Sequence, residues 1–159
     1  MEVLPDSSTI IALAKTGSLD LLKKTFDEIW ITKEVEKEIT SGDFPEIGEI
    51  KRGIGGWIKI LKTKTTSYGE FEGIGSGERS ILSYARAGKD VLLILDEIEA
   101  RAIAEGERIL YTGTIGLIVF ACESRKISKE EAVGIIKRLS RSDFRMTVEL
   151  YDWALERLK

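Results

Sequence analysis

The chain has 159 residues, 43% of them hydrophobic and 32% charged, with a formal net charge of −3 and no histidine. That length favours one domain spanning residues 1–159, and a chain this size buries roughly 70% of the surface that it exposes when unfolded. The acid excess argues against a strongly basic nucleic-acid binder, though a local basic rim suffices for an enzyme, and the missing histidine excludes Ser-His-Asp and Cys-His catalysis and histidine-rich metal sites.

Glu2 to Pro5 read as a first strand with Asp6 at its end. The amino terminus turns acidic at once, without a basic-apolar-small signal pattern, which predicts a cytoplasmic protein. Thr9 to Ala14 predict a short helix, Gly17 breaks it, and Ser18 caps a second piece through Lys24, with Asp20 in its first turn. A second strand is expected around Glu28 to Ile31, followed by a helix in TKEVEKEITSG that Thr32 caps and Gly42 ends. Asp43 to Gly56 is ambiguous between a helical turn and a loop, WIKILKT alternates like a strand, and TSYGEFEGIGSGE reads as a glycine-rich loop. The GIGSG stretch within it, Gly73 to Gly77, does not follow the first strand, so it is not a dinucleotide fingerprint.

From Glu78, ERSILSYARAG is an amphipathic helix closed by Gly88. VLLIL is nearly continuous in apolar residues, as expected where both faces of a parallel sheet are covered. Asp96 follows immediately, then the helix EIEARAIAEG, a strand RILY, and TGT leading into the apolar helix IGLIVFACESR. Cys122 in that helix is the one cysteine; it excludes an intrachain disulfide framework and reads as an inert core thiol. The longest apolar stretch, ILYTGTIGLIVFAC, is interrupted and shorter than the about 20 residues that span a bilayer. Ser128 and Glu131 form a capping box for KEEAVGIIKRL, and a last helix over Thr147 to Leu158 carries Val148, Tyr151, Leu155 and Leu158 on one stripe. Strands alternating with helices predict an α/β fold, a three-layer α/β/α sandwich with a mostly parallel central sheet.

Ligands of such a sheet collect beyond the carboxyl ends of its strands. Asp6 and Asp96 occupy that position, Glu78 opens a helix upstream of VLLIL, and Glu38 lies beside the inward Val35 and Ile39. Four acids converging on one edge would repel unless a cation joined them, and oxygen ligands of that kind suit Mg²⁺ or Mn²⁺. Each acid also has a structural reading. Asp6 can cap the next helix, Glu38 can be a solvated charge, Glu78 can complement a helix dipole, and Asp96 with Glu99 has capping-box spacing. A phosphoryl-transfer enzyme of the dehalogenase type would need D-x-D where this chain has Asp6-Ser7-Ser8, and a receiver would need an acidic pair near the first strand.

The segments PDSSTIIALAKTGSLDLL, ITKEVEKEI, GERSILSYARAG, LLILDEIEARAIAEG, YTGTIGLIVFA and SDFRMTVELYDWALERL, in that order, resemble the PIN-domain nucleases, and within them a prokaryotic group related to VapC-type toxins. Only Asp43 to Tyr68 matches poorly. The resemblance implies a metal-dependent ribonuclease in which Asp6, Glu38, Glu78 and Asp96 are catalytic. Its Mg²⁺ or Mn²⁺ ligands would be Asp6, Glu78 and Asp96, with Glu97 a second candidate beside Asp96. Ser7, Ser8 and Thr9 would orient the first acid or a bound water. Where toxin-type members carry Thr-x-Asp, this chain has Thr112-Gly113-Thr114, which offers hydroxyls and backbone N–H groups or simply a helix cap. Substrate contacts would come from Ser7, Arg79, Arg101, Thr112 and Thr114. The partners implied are RNA, a second copy of the chain and an antitoxin protein, on helices exposing Trp57, Tyr151 or Trp153, with no membrane role. A PIN-like module that binds RNA or protein without cleaving is the alternative, favoured by the missing late acid. A basic group at Arg125, Lys126, Lys137, Arg138 and Arg141 reads mainly as solvated helix faces.

Overall fold

The computed structural model describes residues 1–62, 71 and 73–159. Strand β1 (Glu2–Pro5) leads into helices α1 (Ser7–Lys15) and α2 (Asp20–Phe26), then β2 (Ile29–Ile31), α3 (Lys33–Thr40), α4 (Ile47–Gly53) and β3 (Ile58–Ile60). The second half runs α5 (Ser76–Arg86), β4 (Val91–Ile94), α6 (Ile98–Gly106), β5 (Tyr111–Thr112), α7 (Thr114–Glu123), α8 (Lys129–Ser140) and α9 (Val148–Arg157). Among the described residues every ladder is parallel: β1 with β4, β4 with β5, and β2 with β3. β1 also lies against β2, so the strand layer runs β3-β2-β1-β4-β5. The chain winds outward from β1 through β2 to β3, then returns to the other side of β1 through β4 to β5. The reversal falls between β1 and β4, and ligands of an open α/β sheet collect in the crevice beyond the carboxyl ends of the strands at such a switch point.

Helices cover both faces, which makes this a three-layer α/β/α sandwich. One packed set joins α1, α3, α4, α5 and α6; the other joins α2, α7, α8 and α9. Leu4, Ile29, Ile31, Leu93 and Ile94 on the strands are fully buried, as are Ile10, Leu13, Ile81 and Ile118 on the helices. Burial on both faces explains why VLLIL carries no polar alternation. α3 and α5 pack antiparallel: the Thr32 hydroxyl, which caps α3, lies 2.6 Å from Ser80 Oγ, while Glu38 at the other end of α3 meets Gly77.

Several expected boundaries move. The ambiguous Asp43 to Gly56 segment contains α4. Ser18 does not cap α2; its hydroxyl donates to the Thr16 carbonyl, and Leu19 precedes the helix without a side-chain cap. α5 starts at Ser76, two residues before Glu78. The RILY strand shifts to Tyr111–Thr112 because Arg108 ends α6 in the left-handed region (φ 58), with Ile109 N–H returning to the Ala104 carbonyl at 2.8 Å. On α9, Val148 points outward, and Tyr151, Ala154 and Leu158 face the core. Cys122 is half-buried against the core. The glycine-rich loop from Thr66 to Glu70 and at Glu72, and Thr63 at the end of WIKILKT, lie outside the described residues.

Candidate active site

The β1–β4 register sets the site. Pro5 pairs with Ile94, and Asp6 N–H donates to the Ile94 carbonyl at 3.0 Å, so the residues beyond both strands are held side by side in the switch-point crevice. Asp6 caps α1 as its sequence position suggests, with Oδ1 accepting from Thr9 N–H at 2.8 Å and from the Ser8 hydroxyl at 3.1 Å. Its Oδ2 has only a long contact, 3.4 Å from Asp96 N–H. An ordinary cap sits in water, whereas Asp6 is 1% exposed. Burial, and then the charge of Asp96, push its carboxyl up to about 7.

Asp96 does not form the expected box with Glu99; Glu97 stands at the N-cap of α6 instead. The Asp96 carboxylate reaches across to the start of another helix. Its Oδ1 accepts from Thr114 N–H at 2.9 Å, and its Oδ2 accepts from the Thr114 hydroxyl at 2.5 Å and the Thr9 hydroxyl at 3.3 Å. Gly113, the N-cap of α7, leaves Asp96 room: a Cβ there would stand 3.1 Å from Asp96 Oδ1, and the carboxylate would have to give by a few tenths of an ångström. Thr114 is therefore the first residue of α7, fully buried, and bonded to an acid. Thr112 turns away: its Oγ1 lies 2.6 Å from where a Cβ of Gly116 would be.

A second pair of acids forms on the helices. Glu78 Oε2 accepts from Gly75 N–H at 2.8 Å, at the start of its own helix, as its dipole reading suggests. Glu38 lies against Gly77, whose Cβ, if it had one, would collide with Glu38 Oε1 and approach Ser7 Oγ to 3.2 Å. Burial raises the Glu38 carboxyl above its ordinary range and the Glu78 charge adds to it, while Gly77 N–H and Ser7 oppose the rise. The Ser7 hydroxyl is itself buried without a well-formed hydrogen bond. Among the described residues no three acids gather as one metal-holding group; they stand as two pairs, Asp6 with Asp96 and Glu38 with Glu78. Glu97 is exposed and makes no side-chain capping bond.

Two half-buried cations flank these pairs. Arg101 lies 5.3 Å over the Tyr111 ring, and its Nη2 is 3.8 Å from the point where a Cβ on Gly113 would stand. Arg79 follows Glu78 on α5. The Nε of each is shielded from solvent with no acceptor among the described residues. Of the other basic residues, Arg138 is structural, donating to the Thr16 carbonyl and to Ser18 Oγ at 3.0 Å each.

A family model described as PIN domain matches residues 2–159. The chain belongs to the PIN-domain family. Comparison with curated proteins and with solved structures returns no match. PIN domains are in general nucleases that use divalent metal ions and bind nucleic acid. Among the described residues of this PIN domain, no helix is long and apolar enough to cross a membrane.

Sequence reasoning missed three contributors to this PIN-domain site. Gly77 and Gly113 matter for the space they leave, and no signal short of the packed structure shows that. Tyr111 stacks on Arg101 ten residues away, across a helix–strand turn whose geometry the sequence leaves open.

Proposed function

We propose that this PIN domain is a metal-dependent ribonuclease, hydrolysing RNA phosphodiester bonds with Asp6 and Asp96 as its principal Mg²⁺ or Mn²⁺ ligands. One observation carries the reading: two aspartates from adjacent strand ends share the switch-point crevice, and neither is paired with a cationic side chain among the described residues. The donor set fits a hard cation. Every donor is oxygen, Mg²⁺ commonly binds through one or two carboxylates while keeping several waters, and Asp6 Oδ2 has lone pairs to give. Glu38 and Glu78, which form the separate helix pair, support the site rather than hold the ion in this reading, and Glu97, turned to water, takes no part.

A cation bound there supplies charge neutralisation and a water of lowered pKa. The chain does the rest. Thr114 and Thr9 hold Asp96, and Asp6 keeps Oδ1 on α1 while Oδ2 makes only its long contact with Asp96 N–H. Arg79 and Arg101 offer N–H groups to phosphate oxygens, with Ser7 contributing a hydroxyl. Exposed Phe120, Val148 and Trp153 on α7 and α9 support a protein partner, a second copy or an antitoxin.

Cleavage of RNA with Mn²⁺ by the wild type and by Asp6→Asn tests the reading. Activity that chelation abolishes, and that Asp6→Asn lowers by more than about 100-fold, supports it; losing a merely supporting residue costs about 10–100-fold. RNA binding without cleavage favours the non-catalytic module, for which the engagement of Glu78 with its own helix start speaks.

A further inference from the structure

Thr9 links the two aspartates. It is fully buried in the first turn of α1, and its N–H donates to Asp6 Oδ1 at 2.8 Å. Its hydroxyl also acts on the Asp6 carboxylate, whose ionised form it favours, but is not confined to that acid. It reaches across the strand layer to Asp96 Oδ2 at 3.3 Å and to Thr114 Oγ1 at 3.1 Å. Thr9 thus touches three elements at once: the start of α1, the end of β4 and the start of α7.

Proton bookkeeping gives that contact a direction. A hydroxyl has one proton to donate and two lone pairs to accept with. The Thr114 hydroxyl, 2.5 Å from Asp96 Oδ2, gives its proton to the carboxylate. The Thr9 proton then goes to Thr114 Oγ1, which polarises the Thr114 donor, to Asp96 Oδ2 itself, or to the Asp6 carboxylate. The first two routes end on the same Asp96 oxygen and the third on its partner acid. With Thr114 N–H on Oδ1, the Asp96 carboxylate has both oxygens anchored and its plane fixed. A valine at position 9 would fill nearly the same volume and pack equally well in an apolar first turn. What it would lack is the hydroxyl, buried at a contact spanning 105 residues of chain.

We infer that Thr9 is a positioning residue for the phosphodiester cleavage proposed above: its hydroxyl fixes Asp96 while its backbone fixes Asp6, so that the separation and orientation of the two carboxylates are set by one residue. The inference rests on the nuclease reading, and it assigns Thr9 to Asp96 as well as to the first acid beside which it stands in sequence. Thr9 itself touches neither substrate nor the reacting atoms.

The test compares full-length wild type, Thr9→Val and Thr9→Ser in Mn²⁺-dependent RNA cleavage, with Mn²⁺ binding to each followed by calorimetry. Thr9→Val should lower kcat by about 10–100-fold with KM unchanged, and should weaken Mn²⁺ binding by a similar factor. Thr9→Ser, which keeps the hydroxyl, should restore both. If Thr9→Val fails to fold, Thr9→Ala against Thr9→Ser isolates the same hydroxyl. Thr9→Val with wild-type kcat and Mn²⁺ affinity, while Asp6→Asn is inactive, overturns the inference and leaves the nuclease reading standing. A general loss of stability that Thr9→Ser shares also overturns it. A wild type that neither binds Mn²⁺ nor cleaves RNA overturns the nuclease reading, and this inference with it.

Discussion

Two pairs of acids stand at one end of this PIN domain, and they are built differently. Asp6 and Asp96 leave the ends of adjacent paired strands, so the ladder between β1 and β4 sets where their backbones lie. Their side chains are short, and hydrogen bonds from α1 and α7 fix them. Glu38 and Glu78 ride on helices α3 and α5, with longer side chains that also serve local ends. Glu78 satisfies the first turn of α5, and Glu38 rests against Gly77 and Ser7. A carboxylate at a strand end has its geometry supplied by the sheet, whereas one on a helix depends on how two helices pack. The strand pair should therefore carry the chemistry, with the helix pair supporting it.

The largest expected effect falls on the strand pair. Asp96→Asn should reduce Mn²⁺-dependent RNA cleavage to background, while Glu38→Gln and Glu78→Gln should cost about tenfold each, in the range of supporting residues. Equal losses from Glu78→Gln and Asp96→Asn would break the comparison. Stability against pH sharpens it next. The Asp6 carboxyl is raised in the folded protein, so folding takes up protons; the advantage is complete below the unfolded value near 3.8 and disappears as pH rises through about 7. Metal-free protein should lose stability across that window, by on the order of 4 kcal/mol at most, in urea titrations at successive pH values. Asp6→Asn should flatten the dependence while keeping the α1 cap, since Asn caps as well as Asp. Mn²⁺ should restore the wild type at pH 8 and leave Asp6→Asn unchanged.

Gly77→Ala probes the helix pair from its backbone side. The added Cβ must displace the end of the flexible Glu38 side chain, a cheap adjustment. Alanine is favoured over glycine in a helix by about 1 kcal/mol, so the denaturant midpoint should hold or rise while RNA cleavage falls as it does in Glu38→Gln. The smallest effect belongs to Arg101→Ala. It should raise KM several-fold and reduce the salt dependence of RNA binding by about one in log–log slope, the mark of a single lost phosphate contact. An unchanged slope would mean that Arg101 serves only to stack on Tyr111.

Much of this arrangement is legible in the linear chain. A strand ending in Asp6 ahead of a helical stripe, and VLLIL ending in Asp96, put two acids at strand ends on periodicity alone. Glu97 shows where that reasoning stops. Successive residues leaving a strand project to opposite sides, so one of two adjacent acids faces the crevice and the other faces water. Asp96 faces in and Glu97 is the exposed N-cap of α6, but the order of the two in sequence does not say which. Thr114 is equally ambiguous in the linear chain: threonine before an apolar helix reads as its cap, whereas Gly113 takes that place and Thr114 bonds to Asp96.

Element types, the parallel layer and the candidate acids are written in the chain itself, because they follow from local propensity, hydrophobic period and the polar residues that punctuate strand ends. Which acids pair, that Asp6 is enclosed rather than solvated, and that Thr9 reaches Asp96 emerge only in the folded molecule. Those outcomes depend on side chains brought together across as many as 105 residues, and contacts of that span are fixed by packing and strand register rather than by any local preference.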